Sequence, residues 1–204
     1  MSQLEIFAEI VCPFTHVSLR RLIDARDGSG ANVPVRVRAW PLELVNSRPQ
    51  DPDVVAREID ALRVEIAPEL FKGFEPSRLP RTSIPAFGLA AAAYEGHGHA
   101  KGEAVSLALR DAVFEDGLDV GEPEVIAMLA ERFGIEPPPS GYADLSARAD
   151  WHRGMERHVQ GSPHFFLGSR DWFCPGLTIR HQGGDYDIRV DETRRREFYA
   201  SAFG

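Results

Sequence analysis

The sequence contains little cysteine: Cys12 and Cys174 are its two cysteines in 204 residues. Two cysteines are too few for the disulfide scaffold of a small secreted protein. They also make no recognisable zinc site, because the histidines that could join them lie at none of the spacings typical of zinc-binding sequences. Those histidines are His97, His99 and His181. We therefore predict no metal site, and any sulfur chemistry would use isolated thiols.

Basic residues are also scarce relative to acidic ones. The chain has 23 Lys and Arg against 31 Asp and Glu, a formal net charge of −8. Nucleic acid and anionic membrane surfaces attract proteins with a basic face, so this balance argues against both as partners. The one basic cluster, residues 194–196, lies among acidic residues and is typical of a solvated helix face.

Long apolar runs are missing. No segment approaches the roughly 20 apolar residues that span a bilayer. The first six residues have neither the basic nor the apolar part of a secretory signal. We therefore expect a cytoplasmic protein. Its 43% hydrophobic and 26% charged residues are typical of a globular chain, either one domain or one domain with a large insertion.

Alternating patterns predict a βαβ unit at the N-terminus. Residues 4–10 and 33–39 alternate in the way that indicates half-buried strands. Between them, an apolar stripe with helical spacing begins after Pro13 and is ended by Gly28 and Gly30. Two strands joined through a helix lie parallel in the same sheet.

The rest of the sequence predicts helices and then strands again. Helices are expected near residues 53–66, 86–94, 101–115, 122–134 and 144–158. A hairpin follows (165–167 and 172–174), then a turn at Gly183-Gly184 and a helix at 192–203. A βαβ unit followed by a ββα unit is the topology of the thioredoxin fold. We predict an α/β protein in which residues 1–50 and 160–204 form a thioredoxin-like domain and 51–159 a helical insertion domain.

Cys12 lies where the first strand gives way to the first helix, in the segment Val11-Cys12-Pro13-Phe14-Thr15-His16. The positive end of a helix dipole favours the thiolate form of a cysteine, so we expect an activated sulfur. A Cys-x-x-Cys redox motif would have a second cysteine at position 15, where this chain has Thr15. An inert cysteine at a helix start is the alternative interpretation.

A second segment, Gly161-Ser162-Pro163-His164, precedes the third strand. A proline directly before a strand often follows a cis peptide bond, which would turn the Ser162 backbone toward Cys12. In the thioredoxin fold this loop packs against the start of the first helix. Exposed backbone groups beside a thiolate would make a docking strip for an extended peptide or a thiol tripeptide analogue.

These segments resemble the DsbA-type branch of the thioredoxin superfamily. The resemblance rests on residues 12–15 after a strand, the inserted helices with the segment 102–125, and residues 161–167. The branch includes disulfide oxidoreductases, kappa-class glutathione transferases and hydroxychromene carboxylate isomerases. The resemblance implies that Cys12 is the nucleophile, that Pro163 is the cis-proline and that Thr15 replaces the resolving cysteine.

The remaining site predictions concern the neighbours of Cys12. A hydroxyl of Thr15 would donate to the Cys12 thiolate and support catalysis. His16, one turn along the helix, would favour the thiolate as a cation, although a plain helix-surface position is the alternative. We assign substrate binding to five residues of the Cys12 segment and the proline segment: Pro13, Phe14, His16, Ser162 and Pro163. Cys174 is interpreted as a small buried hydrophobe, with a remote resolving role as the alternative.

The leading functional hypothesis is a monothiol thiol–disulfide oxidoreductase. Cys12 would form a mixed disulfide with a small thiol or a protein disulfide, and an external thiol such as glutathione or mycothiol would resolve it. No bound cofactor is expected. The alternatives are a transferase or isomerase that uses such a thiol as cofactor, and a redox-inactive binding protein. The sequence leaves the oligomeric state open, a homodimer included.

Overall fold

A four-stranded mixed sheet forms the centre of the fold in the computed structural model, which describes residues 3–182 and 185–204. Its strand order is β2-β1-β3-β4. The strands are β1 (Leu4–Ala8), β2 (Val35–Ala39), β3 (His164–Leu167) and β4 (Arg170–Phe173). β1 pairs with β2 in parallel and with β3 antiparallel, and β3 and β4 form a hairpin. The parallel βαβ unit and the later antiparallel hairpin are therefore confirmed.

Helices fill the chain between β2 and β3. They are α2 (Leu42–Val45), α3 (Pro52–Glu65), a 3₁₀ turn (Pro76–Arg78), α4 (Ile84–His97), α5 (His99–Phe114), α6 (Pro123–Phe133) and α7 (Tyr142–Glu156). The five longer helices agree with the sequence pattern to within a few residues, and Gly134 ends α6 in a left-handed conformation. The limits of a thioredoxin-like domain (1–50 and 160–204) and an insertion domain (51–159) stay predictions.

The sheet is covered on both faces. On one face, α1 (Pro13–Ser29) and the terminal helix α8 (Glu192–Phe203) pack on the strands through Leu22 and Phe198. On the other face, Phe7, Trp40 and Phe166 form a small aromatic core beside α7. Gly154 allows this close approach, since an added Cβ would lie 2.5 Å from the Trp40 ring. Helices α4, α5 and α7 also pack against β2.

Side chains from the helices occupy the outer side of β2. The Val37 amide donates to the Tyr94 hydroxyl (3.0 Å), and the Ala39 amide donates to the Asp150 carboxylate (3.0 Å). Two backbone donors on this side of the strand, those of Val37 and Ala39, thereby have partners inside the protein.

Two features differ from the sequence-based prediction. A separate two-stranded sheet, β5 (Leu177–Gln182) and β6 (Asp185–Val190), follows β4 where only a turn was predicted, and it packs against α3. The predicted turn residues Gly183-Gly184 lie outside the described residues. β1 ends at Ala8 rather than Ile10, because the amides of Ile10 and Val11 donate to the Glu9 carboxylate instead of to a neighbouring strand.

Candidate active site

Cys12 is the residue that links β1 to α1. Its backbone is extended (φ −90°, ψ 114°), and Pro13 begins the helix directly after it. The side chain is buried, with 6% of the residue exposed, yet it lines a cavity of about 350 Å³. Pro13 and Phe14, which the sequence predicted to bind substrate, line the same cavity. The sulfur therefore has space in front of it.

The proline loop meets Cys12 as the topology predicted. The Ser162–Pro163 peptide bond is cis, and the Cys12 thiol donates to the Ser162 carbonyl oxygen at a sulfur–oxygen distance of 3.3 Å. Ser162 also lines the cavity. Residues 150 positions apart in the sequence are thus brought into direct contact, and both parts of this prediction are confirmed.

Two hydroxyl groups lie next to the sulfur. The Thr15 and Ser162 hydroxyl oxygens are 2.8 Å apart, and the Ser162 oxygen accepts a hydrogen bond from the Glu9 amide (2.8 Å). Hydrogen bonds from the Thr15 and Ser162 side chains favour the charged form of Cys12 and oppose the rise in its pKa. Thr15 thus occupies the position of the second cysteine with a hydroxyl donor, while its catalytic role stays a prediction.

The expected activation of Cys12 is wrong for this geometry. Burial raises the pKa of the Cys12 thiol, and the negative charge of Glu58 raises it further. The sulfur loses the hydration that would stabilise a thiolate, and the hydrogen bonds from Thr15 and Ser162 offset this only in part, so the pKa of Cys12 lies above its ordinary value.

Glu58 projects from α3 into the cavity that Cys12 lines. Burial raises the pKa of this carboxyl group to about 7, although a hydrogen bond with the Tyr186 side chain lowers the pKa in part. Tyr186, on β6, lines the cavity as well. A carboxyl group that titrates near neutral pH and shares a cavity with a thiol can take up its proton directly or through one water molecule.

Removing the charge of Glu58 provides a test of this electrostatic coupling. We expect Glu58→Gln to lower the pKa of Cys12, because the glutamine cannot oppose the thiolate with a negative charge. Alkylation of Cys12 by iodoacetamide, followed from pH 6 to 10, should then have its midpoint at lower pH and be faster at pH 7.5. Asp60→Asn, an exposed charge loss on the same helix, is the matched control. An unshifted midpoint in Glu58→Gln would contradict the coupling.

His16 is neither a helix-surface residue nor part of the cavity lining. It is 1% exposed, its Nε2 atom lies 2.7 Å from the Glu115 carboxylate, and its ring packs against Phe71 and Phe114. Burial lowers its pKa, although Glu115 opposes this, so the imidazole is not a ready source of positive charge. The surface interpretation was wrong, and the structure does not bring His16 to the substrate side that the sequence predicted.

Cys174 lies just beyond the β3–β4 pairing, in which Phe165 pairs with Trp172 and β4 ends at Phe173. The Cys174 amide instead donates to the Pro163 carbonyl oxygen (3.0 Å). The residue is 5% exposed and lines the same cavity as Cys12. Burial raises the pKa of its thiol well above the ordinary value.

Glu9 and Arg110 are site-supporting residues that the sequence analysis missed. The Glu9 carboxylate accepts hydrogen bonds from the amides of Ile10 (2.6 Å), Val11 (3.3 Å) and Leu42 (2.7 Å). Burial raises the pKa of Glu9 against the effect of these bonds. The buried Arg110 guanidinium donates to the Glu9 carbonyl oxygen (3.1 Å). The sequence signal that could have identified Glu9 is the presence of an acidic residue inside the apolar run 8–11.

The rest of the cavity is mainly apolar and comes from distant parts of the chain. Leu42, Val54 and Val55 line it from α2 and α3, and Phe173 and Ile179 line it from the end of β4 and from β5. Within residues 3–182 and 185–204, no group of three or more side chains is arranged to hold a metal ion. The same described residues include no helix with the length and apolar character needed to cross a membrane.

Comparison with solved structures supports the fold. A 2-hydroxychromene-2-carboxylate isomerase structure is 20% identical, with a TM-score of 0.63 over 83% of this chain and 87% of the other. The cytosolic disulfide reductase DsbM from Pseudomonas aeruginosa is 16% identical, with a TM-score of 0.63 over 98% and 96%. Its structure with GSH gives 14% identity and a TM-score of 0.64 over the same shares.

Sequence comparison identifies the family. A search against curated proteins found no match. A family model described as a DSBA-like thioredoxin domain matches residues 3–178, most of the chain. The predicted thioredoxin-like α/β fold and the predicted resemblance are both confirmed. The chain belongs to the family of DSBA-like thioredoxin domains.

Proposed function

We propose that this protein is a thiol–disulfide oxidoreductase in which Cys12 is the attacking sulfur. The observation that carries the proposal is the position of the Cys12 sulfur, which faces a cavity and contacts the Ser162–Pro163 loop. That loop presents backbone groups beside the thiol, where an extended substrate segment can be held. Pro13 and Phe14 would contact the same substrate.

The reaction begins with removal of the Cys12 proton, for which Glu58 is the acceptor that we propose. The thiolate attacks one sulfur of a substrate disulfide R–S–S–R′, so that a Cys12–S–S–R bond forms and R′–S⁻ leaves and takes up a proton. The hydroxyls of Thr15 and Ser162 stabilise the thiolate while it exists. Ser162 and Pro163 orient the substrate sulfur toward Cys12.

We propose that the protein works as a reductase. A cysteine with a low pKa favours the reduced protein, which makes the protein an oxidant, as DsbA illustrates. Here burial raises the pKa of Cys12, so the thiolate is not stabilised and this advantage of the reduced form is lost. A raised pKa also makes each thiolate that forms a stronger nucleophile.

Release of the substrate requires a second thiol. Because position 15 is Thr15, a monothiol cycle uses an external low-molecular-weight thiol such as glutathione or mycothiol. That thiolate attacks the substrate sulfur of the mixed disulfide, forms a new disulfide with R and returns Cys12 to its reduced state. We propose a cytoplasmic location, where such thiols are abundant and disulfides are kept reduced.

Trapping the mixed disulfide tests this proposal. We expect the reduced Cys174→Ser variant, in which Cys12 is the one remaining cysteine, to release one thiol per chain on treatment with one equivalent of an aromatic disulfide and to form a covalent bond at Cys12. Peptide mass spectrometry under non-reducing conditions locates the bond. The Cys12→Ser variant should form none at position 12. A transferase or isomerase that only binds a thiol cofactor, and a redox-inactive binding protein, would leave Cys12 unmodified at concentrations where free cysteine reacts.

A further inference from the structure

We propose that Cys174 is the resolving cysteine and that the catalytic cycle passes through an intramolecular Cys12–Cys174 disulfide. This inference rests on the proposed function and replaces the external thiol in its release step. It assigns to a distant part of the chain the task that Thr15 cannot perform.

The first supporting observation is that both cysteines are attached to the same two-residue loop. The Cys12 thiol donates to the Ser162 carbonyl (3.3 Å), and the Cys174 amide donates to the next carbonyl, that of Pro163 (3.0 Å). Both side chains line the same cavity of about 350 Å³. Both cysteines therefore contact one short segment and line the space into which a substrate would bind.

The second supporting observation is the backbone around Cys174. Cys174 and Gly176 both have left-handed conformations (φ +45° and +87°), and they form the turn that leads from β4 to β5. A non-glycine residue with positive φ is uncommon, and such positions cluster at functional sites. The turn follows the last residue of β4, and the hydrogen bonds from the Cys174 amide to Pro163 and from the Asp191 amide to Gly176 hold it beside the proline loop.

The third supporting observation is access from a second side. Cys174 also lines a more open cavity of about 490 Å³, together with Gln160, Trp172 and Arg194. Burial raises the pKa of Cys174, and the positive charge of Arg194 opposes part of this rise. A reductant that enters this cavity would meet the Cys174 sulfur of a Cys12–Cys174 bond.

The proposed step is a second exchange inside the protein. Cys174 loses its proton to the Glu58 carboxylate or to solvent, and its thiolate attacks the Cys12 sulfur of the Cys12–S–S–R intermediate. A Cys12–Cys174 bond forms, and R–S⁻ leaves and is protonated. The substrate disulfide has then gained two electrons from the two cysteines. Two molecules of a low-molecular-weight thiol reduce the protein disulfide and leave as their own disulfide.

The test uses an aromatic disulfide that releases a coloured thiol, added at one equivalent to the reduced protein. We expect two coloured thiols per chain, no retained adduct, and a mass two hydrogen atoms below that of the reduced chain. Since the chain has two cysteines, a monomer with this mass loss can contain only the Cys12–Cys174 bond. Cys174→Ser and Cys174→Ala should each release one thiol and retain one adduct on Cys12.

Other outcomes overturn the inference and separate it from the proposed function. A wild-type chain that retains one adduct and releases one thiol excludes a resolving role for Cys174 and leaves the monothiol cycle standing. A disulfide-linked dimer, or an adduct at Cys174, also excludes it. Absence of any reaction at Cys12 in the wild type and in both Cys174 variants overturns the proposed function itself.

Discussion

Replacing Cys12 by serine should lower kcat/KM for disulfide reduction by at least about a thousandfold, in line with the loss of a catalytic nucleophile in other enzymes. The hydroxyl of serine keeps the donor to the Ser162 carbonyl, so the local structure should change little. It cannot form the sulfur–sulfur bond on which the reaction depends. Turnover of an aromatic disulfide with glutathione as the final reductant measures the loss.

A second variant tests whether activity requires a thiol at position 12 or only a thiol anywhere in the chain. In Cys12→Ser/Ser29→Cys a new thiol is added at an exposed position near the C-terminal end of α1. We expect this double variant to stay as inactive as Cys12→Ser, because Ser29 lies outside the residues that line the cavity. Activity of Cys12→Ser within tenfold of the wild type would refute the assignment of Cys12 as nucleophile.

Truncating Glu9 to alanine should reduce the free energy of unfolding by about 3 kcal/mol or more. Three backbone amides, those of Ile10, Val11 and Leu42, donate to its carboxylate. A buried donor left without a partner costs about 1–3 kcal/mol, and the buried Arg110 would also lose its neighbouring charge. Urea unfolding followed by circular dichroism gives the difference.

Glu9→Gln is the matched comparison for this loss. The glutamine oxygen can still accept from Ile10 and Val11, whereas its amide group would face the Leu42 donor. We therefore expect a stability between those of the wild type and Glu9→Ala. If Glu9→Ala unfolds within about 0.5 kcal/mol of the wild type, which is the ordinary range for surface changes, the carboxylate does not organise the segment that leads to Cys12.

The parts of the fold that were predictable are those with a strong local pattern. Alternation identified β1 and β2, and prolines and glycines marked the ends of α1 and α6. Glu9 breaks the end of the β1 pattern, because its side chain binds amides that a longer strand would have used. The β5–β6 hairpin was missed although Leu177, Ile179 and Ile188 do alternate with polar residues.

The chemistry of the site was less predictable because burial of Cys12 arises from contacts distant in sequence. Helix α3 and the β5–β6 hairpin bring Glu58, Ile179 and Tyr186 to the cavity. Nothing near Cys12 in the sequence signals this cover, so the helix dipole alone suggested a lowered pKa. The contact between Cys12 and Ser162 was predictable, because strand order and a proline before β3 determine where the loop lies.

The capping of β2 by Tyr94 and Asp150 has a consequence for solubility at high protein concentration. An open sheet tends to recruit a strand from a neighbouring molecule, which is a common route to aggregation. Here the Val37 and Ala39 amides on one side already have partners, and the outer strand on the opposite side exposes the charged residues Arg170 and Asp171. Both borders of the sheet therefore resist intermolecular strand addition.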